Sequence, residues 1–370
     1  MRWSWKIGEF AGIGVYMHAT FLLLIGWVAL SGWLQGQTAA AALGAVAFIL
    51  ALFLMVVLHE YGHALAARRY GIPTRDITLL PIGGVARLER MPDNPRHELW
   101  VALAGPLVNV GIAALLFVWL AVTNALGTLG PISLTGGGFI ERLLGVNITL
   151  ALFNLIPAFP MDGGRVVRAL LATRLEYTRA TQIAASLGQG IALLFGFIGL
   201  FSNPLLVFVA LFVWMGAAQE SSMVQMKSSL DGIPVTRAML TDFQTISPHE
   251  PLARAVDLVL AGSQHDFPVV DDGRVAGVLT RGDLLTALQR SGPAASVSEV
   301  MRRDVQIADA FEMLESVSAR LQECSCHTLP VLRDGKLVGL VTMENIGEFL
   351  MIQGALNRTG STLGRELMRA

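Results

Sequence analysis

Three long stretches of this 370-residue chain, 10–58, 99–140 and 180–219, contain no Asp, Glu, Lys or Arg. A helix that crosses a bilayer needs about 20 consecutive apolar residues. The first stretch has room for two spans, broken near Gln35 by Gly36-Gln37-Thr38. The second holds one span at 99–123, followed by a Gly-rich loop around 127–138. The third holds two, split at Ser202-Asn203-Pro204, and a further apolar run, 143–161, is interrupted by prolines. The expectation is a polytopic α-helical membrane domain with six transmembrane helices. Charged residues are only 15% of the chain, where soluble domains carry about 25%.

The charge is unevenly placed. Residues 1–226 hold 23 of the 55 charges and residues 227–370 hold 32. The front therefore reads as the membrane domain and the back as a soluble one. Arg2 and Lys6 precede the first span, Arg68 to Arg96 lie between spans two and three, Arg165 to Arg179 follow span four, and Lys227 follows span six. The loops on the other side, 34–38, 124–138 and 201–204, carry no Lys or Arg. Positive charge stays inside, so both termini and the soluble part are expected in the cytoplasm, in a multi-pass protein of a prokaryotic cell membrane. No cleavage pattern of a signal peptide is evident, so the first span is expected to be retained. A net charge of −1 gives no reason to expect nucleic-acid binding. Cys324 and Cys326 fit neither a disulfide framework nor a four-cysteine zinc site, and read as two small residues in a reducing compartment.

The soluble part repeats itself. Pro268-Val269-Val270-Asp271-Asp272-Gly273 and Pro330-Val331-Leu332-Arg333-Asp334-Gly335 open segments offset by 62 residues, and Met239 and Met301 keep that offset. Each unit reads as a strand, an Asp-Gly turn, a second strand and a helix, with helical runs 250–261 and 309–323 ahead of the hairpins. This resembles a cytoplasmic α/β pair of CBS domains. The expected boundaries are 1–226 for the membrane domain, 230–290 and 294–354 for the repeats, and 355–370 for a C-terminal tail. The plainer alternative is a dimerising module without a ligand.

His59-Glu60-Tyr61-Gly62-His63 closes the second span. On a helix, histidines at i and i+4 share a face and can hold one zinc ion, with the intervening Glu as general base. Ionisable residues inside a spanning helix are costly and point to function. A catalytic zinc takes three protein ligands. Asp162 is the candidate third ligand. It follows the proline-broken run from Asn154 to Met161, where irregular backbone is tolerated only under cover of protein or water. Spacing alone leaves open that Asp162 merely caps the following helix.

With these motifs in view, the chain resembles the site-2 protease family of intramembrane metalloproteases, in the six-helix subgroup with a CBS pair. The resemblance rests on His59 to His63, Leu80 to Glu89, Ala104 to Asn109 and Asn154 to Gly164. It implies one zinc held by His59, His63 and Asp162, Glu60 as general base, and Asn154 engaging substrate. It also implies single-pass membrane substrates such as an anti-sigma factor, embedded in the lipid bilayer. Gly83, Gly84 and Val85 suggest a short hairpin whose edge pairs with an unwound substrate, by strand addition; an ordinary cytoplasmic loop is the alternative.

Gly105-Pro106 is expected to kink the third span, with Asn109 as interhelical glue near the site. His18 reads as a packed polar residue. The CBS resemblance admits an adenine nucleotide between the repeats and a homodimer through them. Thr280 and Asp283 match the family's ribose-holding pair, and Thr342 matches, but Asn345 replaces the second carboxylate. Two other classes compete: a CBS-regulated transporter or channel, and a scaffold without activity.

Overall fold

The computed structural model describes residues 3–36, 38–81, 83–92, 94–123, 138–324 and 326–367; the Gly-rich loop expected around 127–138 lies outside them except for Gly138. The chain divides into two compact units, Met1–Val224 and Gln225–Ala370.

The first unit begins with a hairpin, β1 (Ser4–Phe10) and β2 (Ile13–His18), and only then enters helix α1 (Ala19–Leu34). This corrects the sequence expectation, which ran a charge-free span from residue 10. Alternation over six or seven residues is short beside the apolar run that follows it, and it hides a strand. His18 is the N-cap of α1, its Nδ1 lying 3.3 Å from the Thr20 amide. Helix α2 (Ala39–Arg69) is capped by Thr38. A second hairpin, β3 (Thr74–Leu80) and β4 (Gly83–Leu88), completes one sheet in the order β1-β2-β3-β4. Tyr61 Oη donates to the Ile13 carbonyl at 3.1 Å and Arg68 Nη1 to the Ala11 carbonyl at 2.8 Å, which fastens the first hairpin to α2.

Helix α3 (Pro95–Val122) starts on an Asn94 cap with Pro at its first position, where a missing N–H costs nothing. Then come α4 (Phe139–Asn154), α5 (Asp162–Ala172), α6 (Tyr177–Phe201) and α7 (Pro204–Leu230). Among the described residues, α2, α3, α6 and α7 are long and apolar enough to cross a membrane. They turn large apolar side chains outward, Leu54, Leu115, Phe197 and Phe208 among them. The six expected helices all exist, but α1 and α4 have 16 residues each. At 1.5 Å per residue that is about 24 Å, short of a hydrocarbon core of about 30 Å. Six full spans are therefore not what the helix lengths show.

The second unit contains two hairpin-and-helix repeats. The first comprises α8 (Leu252–Ala261), β5 (Phe267–Asp271), β6 (Arg274–Leu279) and α9 (Arg281–Ser291). The second comprises β7 (Ala308–Asp309), α10 (Leu314–Glu323), β8 (Thr328–Arg333), β9 (Lys336–Thr342) and α11 (Met343–Leu367). Helix α11 continues to Leu367, into the segment expected as a separate tail. Asp272 and Asp334, at equivalent positions, both have positive φ, as an Asp-Gly hairpin turn requires.

The 62-residue offset is a physical pseudo-twofold. Pro234 bridges Met313 and Pro251 bridges Ser296; Leu240 bridges Leu340 and Val278 bridges Arg302. Each pair maps on the other when 62 is added to one member and subtracted from its partner. Thr328 Oγ1 donates to Asp266 Oδ2 at 2.8 Å, joining two equivalent positions across the axis. The lead-in of each repeat packs in the core of the other: Val235 and Ala238 with Leu314 and Val331, Val297 and Met301 with Leu252 and Val269. The side chains of Cys324 and Cys326 meet at the end of α10.

Candidate metal centre and active site

Helix α2 presents His59 and His63 on one face, one turn apart. The proline-broken stretch after α4 returns the chain so that Asp162, the first residue of α5, meets them. Asp162 Oδ2 lies 3.2 Å from His59 Nε2 and 3.1 Å from His63 Nε2, and the two Nε2 atoms are 3.1 Å apart. All three residues are buried. The helix cap is Met161, without a side-chain bond, so Asp162 is turned to the histidines rather than used as a cap.

The donor chemistry tests whether a cation belongs here. His63 Nδ1 donates to the Val101 carbonyl at 2.7 Å, and His59 Nδ1 donates to Asn109 Oδ1 at 2.9 Å. With each proton on Nδ1, both Nε2 atoms aim lone pairs at one another and at a carboxylate. Three lone pairs at that separation repel unless a positive charge sits between them. Tetrahedral zinc with bonds of about 2.0–2.2 Å sets neighbouring donors about 3.3–3.6 Å apart, slightly wider than the observed 3.1–3.2 Å. The residues therefore fit zinc, with both imidazoles held by outer partners.

Glycines allow this approach. A Cβ on Gly105 would fall 2.2 Å from His63 Nε2 and 2.7 Å from His59 Nε2; one on Gly62 would fall 2.7 Å from the Ala104 carbonyl. Helix α3 thus presses its backbone on the metal face of α2. Gly163 stands where a Cβ would meet the Ile156 carbonyl at 2.2 Å, so the turn that delivers Asp162 also requires glycine.

Glu60 projects beside this cluster toward β4. The Ala86 amide donates to Glu60 Oε2 at 3.2 Å, and a Cβ on Gly84 would touch Glu60 Cγ at 2.9 Å. Gly83, Gly84 and Val85 open β4, the terminal strand of the sheet, and Val85 is exposed. Asn154 ends α4, half-buried, at the start of the turn leading to Asp162. Two partners were not identified as such from the sequence. The sequence places Asn109 as interhelical glue near the site but does not name it as the partner of His59, and the Val101 carbonyl carries no sequence signal at all. The histidine-to-asparagine pairing could have been sought from Gly105, which marks where α3 comes close.

In the second unit, Thr280 and Asp283 are engaged with each other. Thr280 Oγ1 donates to Asp283 Oδ2 at 2.6 Å and caps α9 by accepting from the Asp283 amide at 3.1 Å. Arg302 grips Asp283 through Nε at 2.6 Å and Nη2 at 3.2 Å. Partial burial pushes the Asp283 carboxyl up, but the bonds from Arg302 and Thr280 outweigh it and hold the group below the usual aspartate value. Thr342 and Asn345 repeat the cap, Thr342 Oγ1 donating to Asn345 Oδ1 at 2.9 Å; among the described residues no arginine bonds Asn345.

Comparison with known proteins gives the family. Residues 47–136 and 132–195 match the model of peptidase family M50, and residues 232–290 and 297–351 match that of the CBS domain. A zinc metalloprotease of Methanocaldococcus jannaschii is 32% identical over 347 residues, covering 94% of this chain and 96% of that protein. Stage IV sporulation protein FB of Bacillus subtilis is 29% identical over 172 residues, 46% of this chain and 56% of that protein. The solved site-2 protease of Methanocaldococcus jannaschii is 38% identical and covers 59% of this chain and 95% of its own, with a TM-score of 0.44. On the full-length match and the two family models, this chain belongs to peptidase family M50, the site-2 protease family, and carries a CBS domain pair.

Proposed function

We propose that the protein is an intramembrane zinc endopeptidase that hydrolyses peptide bonds in or near transmembrane helices of membrane-anchored substrates. The observation that carries this is the convergence of His59, His63 and Asp162, with Glu60 on the same helix. When bound, zinc polarises the scissile carbonyl and lowers the pKa of a water ligand to about 7. Glu60 takes the proton of the attacking water and returns it to the leaving amine. The Ala86 amide holds one Glu60 oxygen in place, leaving the other for the proton. Family membership and this site set aside the transporter reading, which explains neither Glu60 nor the three-ligand cluster.

A helical peptide bond is closed to attack, so the substrate unwinds locally. The terminal strand β4, with Gly83, Gly84 and Val85, offers backbone groups to such a segment beside Glu60, and Asn154 engages it from the other side of the turn. Single-pass substrates, anti-sigma factors among them, have the required form. The protein is multi-pass, with both termini cytoplasmic, following the one-sided Lys and Arg distribution. The pseudo-twofold of the second unit supports a nucleotide-binding regulatory role for the CBS pair, and dimerisation through it.

The test is the purified full chain in detergent with a helical substrate. Glu60→Gln should cut turnover about 100- to 10,000-fold and keep about one zinc per chain. Turnover near wild type with that substitution would refute the assignment.

A further inference from the structure

Glu98, Arg168 and Glu220 form an ionic cluster that neither metal binding nor proton transfer uses. They stand in the first turn of α3, in α5 and in α7. The Arg168 side chain is 0% exposed and that of Glu98 1%. Arg168 Nε donates to Glu98 Oε1 at 2.7 Å, and Nη2 lies 2.6 Å from the same oxygen. Nη1 donates to Glu220 Oε1. The rings of Phe159 and Tyr177 flank the guanidinium, with centroids 5.1 and 5.0 Å from Cζ. By charge pattern Arg168 is one more cytoplasmic positive residue; in the fold it is fully buried.

A buried ion pair is a poor way to gain stability, because desolvation offsets most of the attraction and apolar residues join helices as well. What it supplies is one geometry, since a planar guanidinium accepts carboxylates only along fixed directions. Two of the three helices joined here, α3 and α5, help build the metal centre. Helix α5 opens with Asp162, six residues before Arg168, and Phe159 lies three residues before Asp162. Helix α3 carries Val101, three residues after Glu98, and Asn109, the two groups that orient His63 and His59. Helix α5 has only 11 residues and follows an irregular stretch, so no long helix sets its register.

We propose that Arg168 is a positioning residue of the metal centre: bonded to Glu98 and Glu220, it locks the helix that bears Asp162 against the helix that orients both histidines. This rests on the zinc-site reading above. Arg168 touches no reacting atom, and its effect on catalysis passes through the Asp162 carboxylate. Metal ligands must be held to within about 0.5 Å, and loss of an outer partner typically lowers metal affinity about 10- to 100-fold.

The experiment uses the full chain in detergent, with zinc affinity from chelator competition and the visible absorption of the cobalt(II)-substituted protein. Arg168→Lys keeps the charge but loses the fork, and Glu220→Gln keeps the shape but loses the charge toward α7. Both are expected to weaken zinc about 10- to 100-fold and to alter the cobalt spectrum. Thr181→Val, a buried change in α6, should lower the unfolding temperature without moving either metal readout. If Arg168→Lys does not fold, Glu220→Gln decides alone, because Glu220 is 29% exposed and its replacement is milder. Unchanged zinc affinity and cobalt spectrum in the folded variants overturn the positioning role, whatever happens to stability. A wild-type protein that binds neither metal would instead overturn the zinc site itself, and this inference with it.

Discussion

His63 donates its Nδ1 proton to the backbone carbonyl of Val101, 2.7 Å away on helix α3. That bond fixes the tautomer, leaves Nε2 free as a ligand, and ties the α2 metal face to the first turns of α3. His59 is held in the same way, by Asn109 Oδ1 at 2.9 Å. Both imidazoles are therefore oriented from α3, as outer partners of metal-bound histidines commonly do.

Asn109→Leu keeps the volume but removes the acceptor. Zinc affinity should fall about 10- to 100-fold, measured by chelator competition, while helical content by circular dichroism stays the same. Unaltered affinity would mean that Asn109 only packs.

Gly105→Ala adds one methyl group. At 2.2 Å from His63 Nε2 it displaces a ring end rather than a rigid backbone. The helices should still assemble, but the ring leaves the ligand position. Zinc content by elemental analysis should drop well below one per chain, with proteolysis lost in parallel.

Asp162→Ala and Glu60→Gln should separate binding from chemistry. The first removes a ligand and should strip the zinc; the second should retain it with turnover reduced about 100- to 10,000-fold. Full zinc and activity in Asp162→Ala would refute its place in the ligand set.

Ala86→Pro removes the N–H that bonds Glu60 Oε2. β4 is the terminal strand, where proline is tolerated. A hydrogen bond to a charged group contributes about 1.5–3 kcal/mol, so kcat should fall roughly 10- to 100-fold with zinc content unchanged.

Asp283 is occupied by Arg302. If a ribose binds there it must compete for the carboxylate. Arg302→Ala should then tighten adenosine binding several-fold in calorimetry of the full chain, and Asp283→Ala should abolish it. Indifference to both substitutions would leave the CBS pair as a dimerisation element.

Much of this protein was legible in one dimension. A charge-free run is a local property, and it located the four long apolar helices α2, α3, α6 and α7 and the shorter α1. The histidine pair needs only the helical period, and the 62-residue repeat became the pseudo-twofold bridges between Pro234 and Met313 and between Pro251 and Ser296. Asp162 could be named because prolines and glycines mark where backbone leaves a helix. Contacts between distant segments were not legible. The N-terminal hairpin β1-β2 gains its stability from β3 and α2, about 60 residues on, so its short alternation vanished beside a stronger helical signal. Asn109 differs from an ordinary packed asparagine only by what faces it. Arg168 looked like one more positive charge of a cytoplasmic loop, yet Glu98 and Glu220, 70 and 52 residues away, allow it to be buried. Composition and period report the solvent each segment prefers. Only the packing of α3, α5 and α7 decides which polar side chains meet, because a buried charge is stable only where its partner already stands.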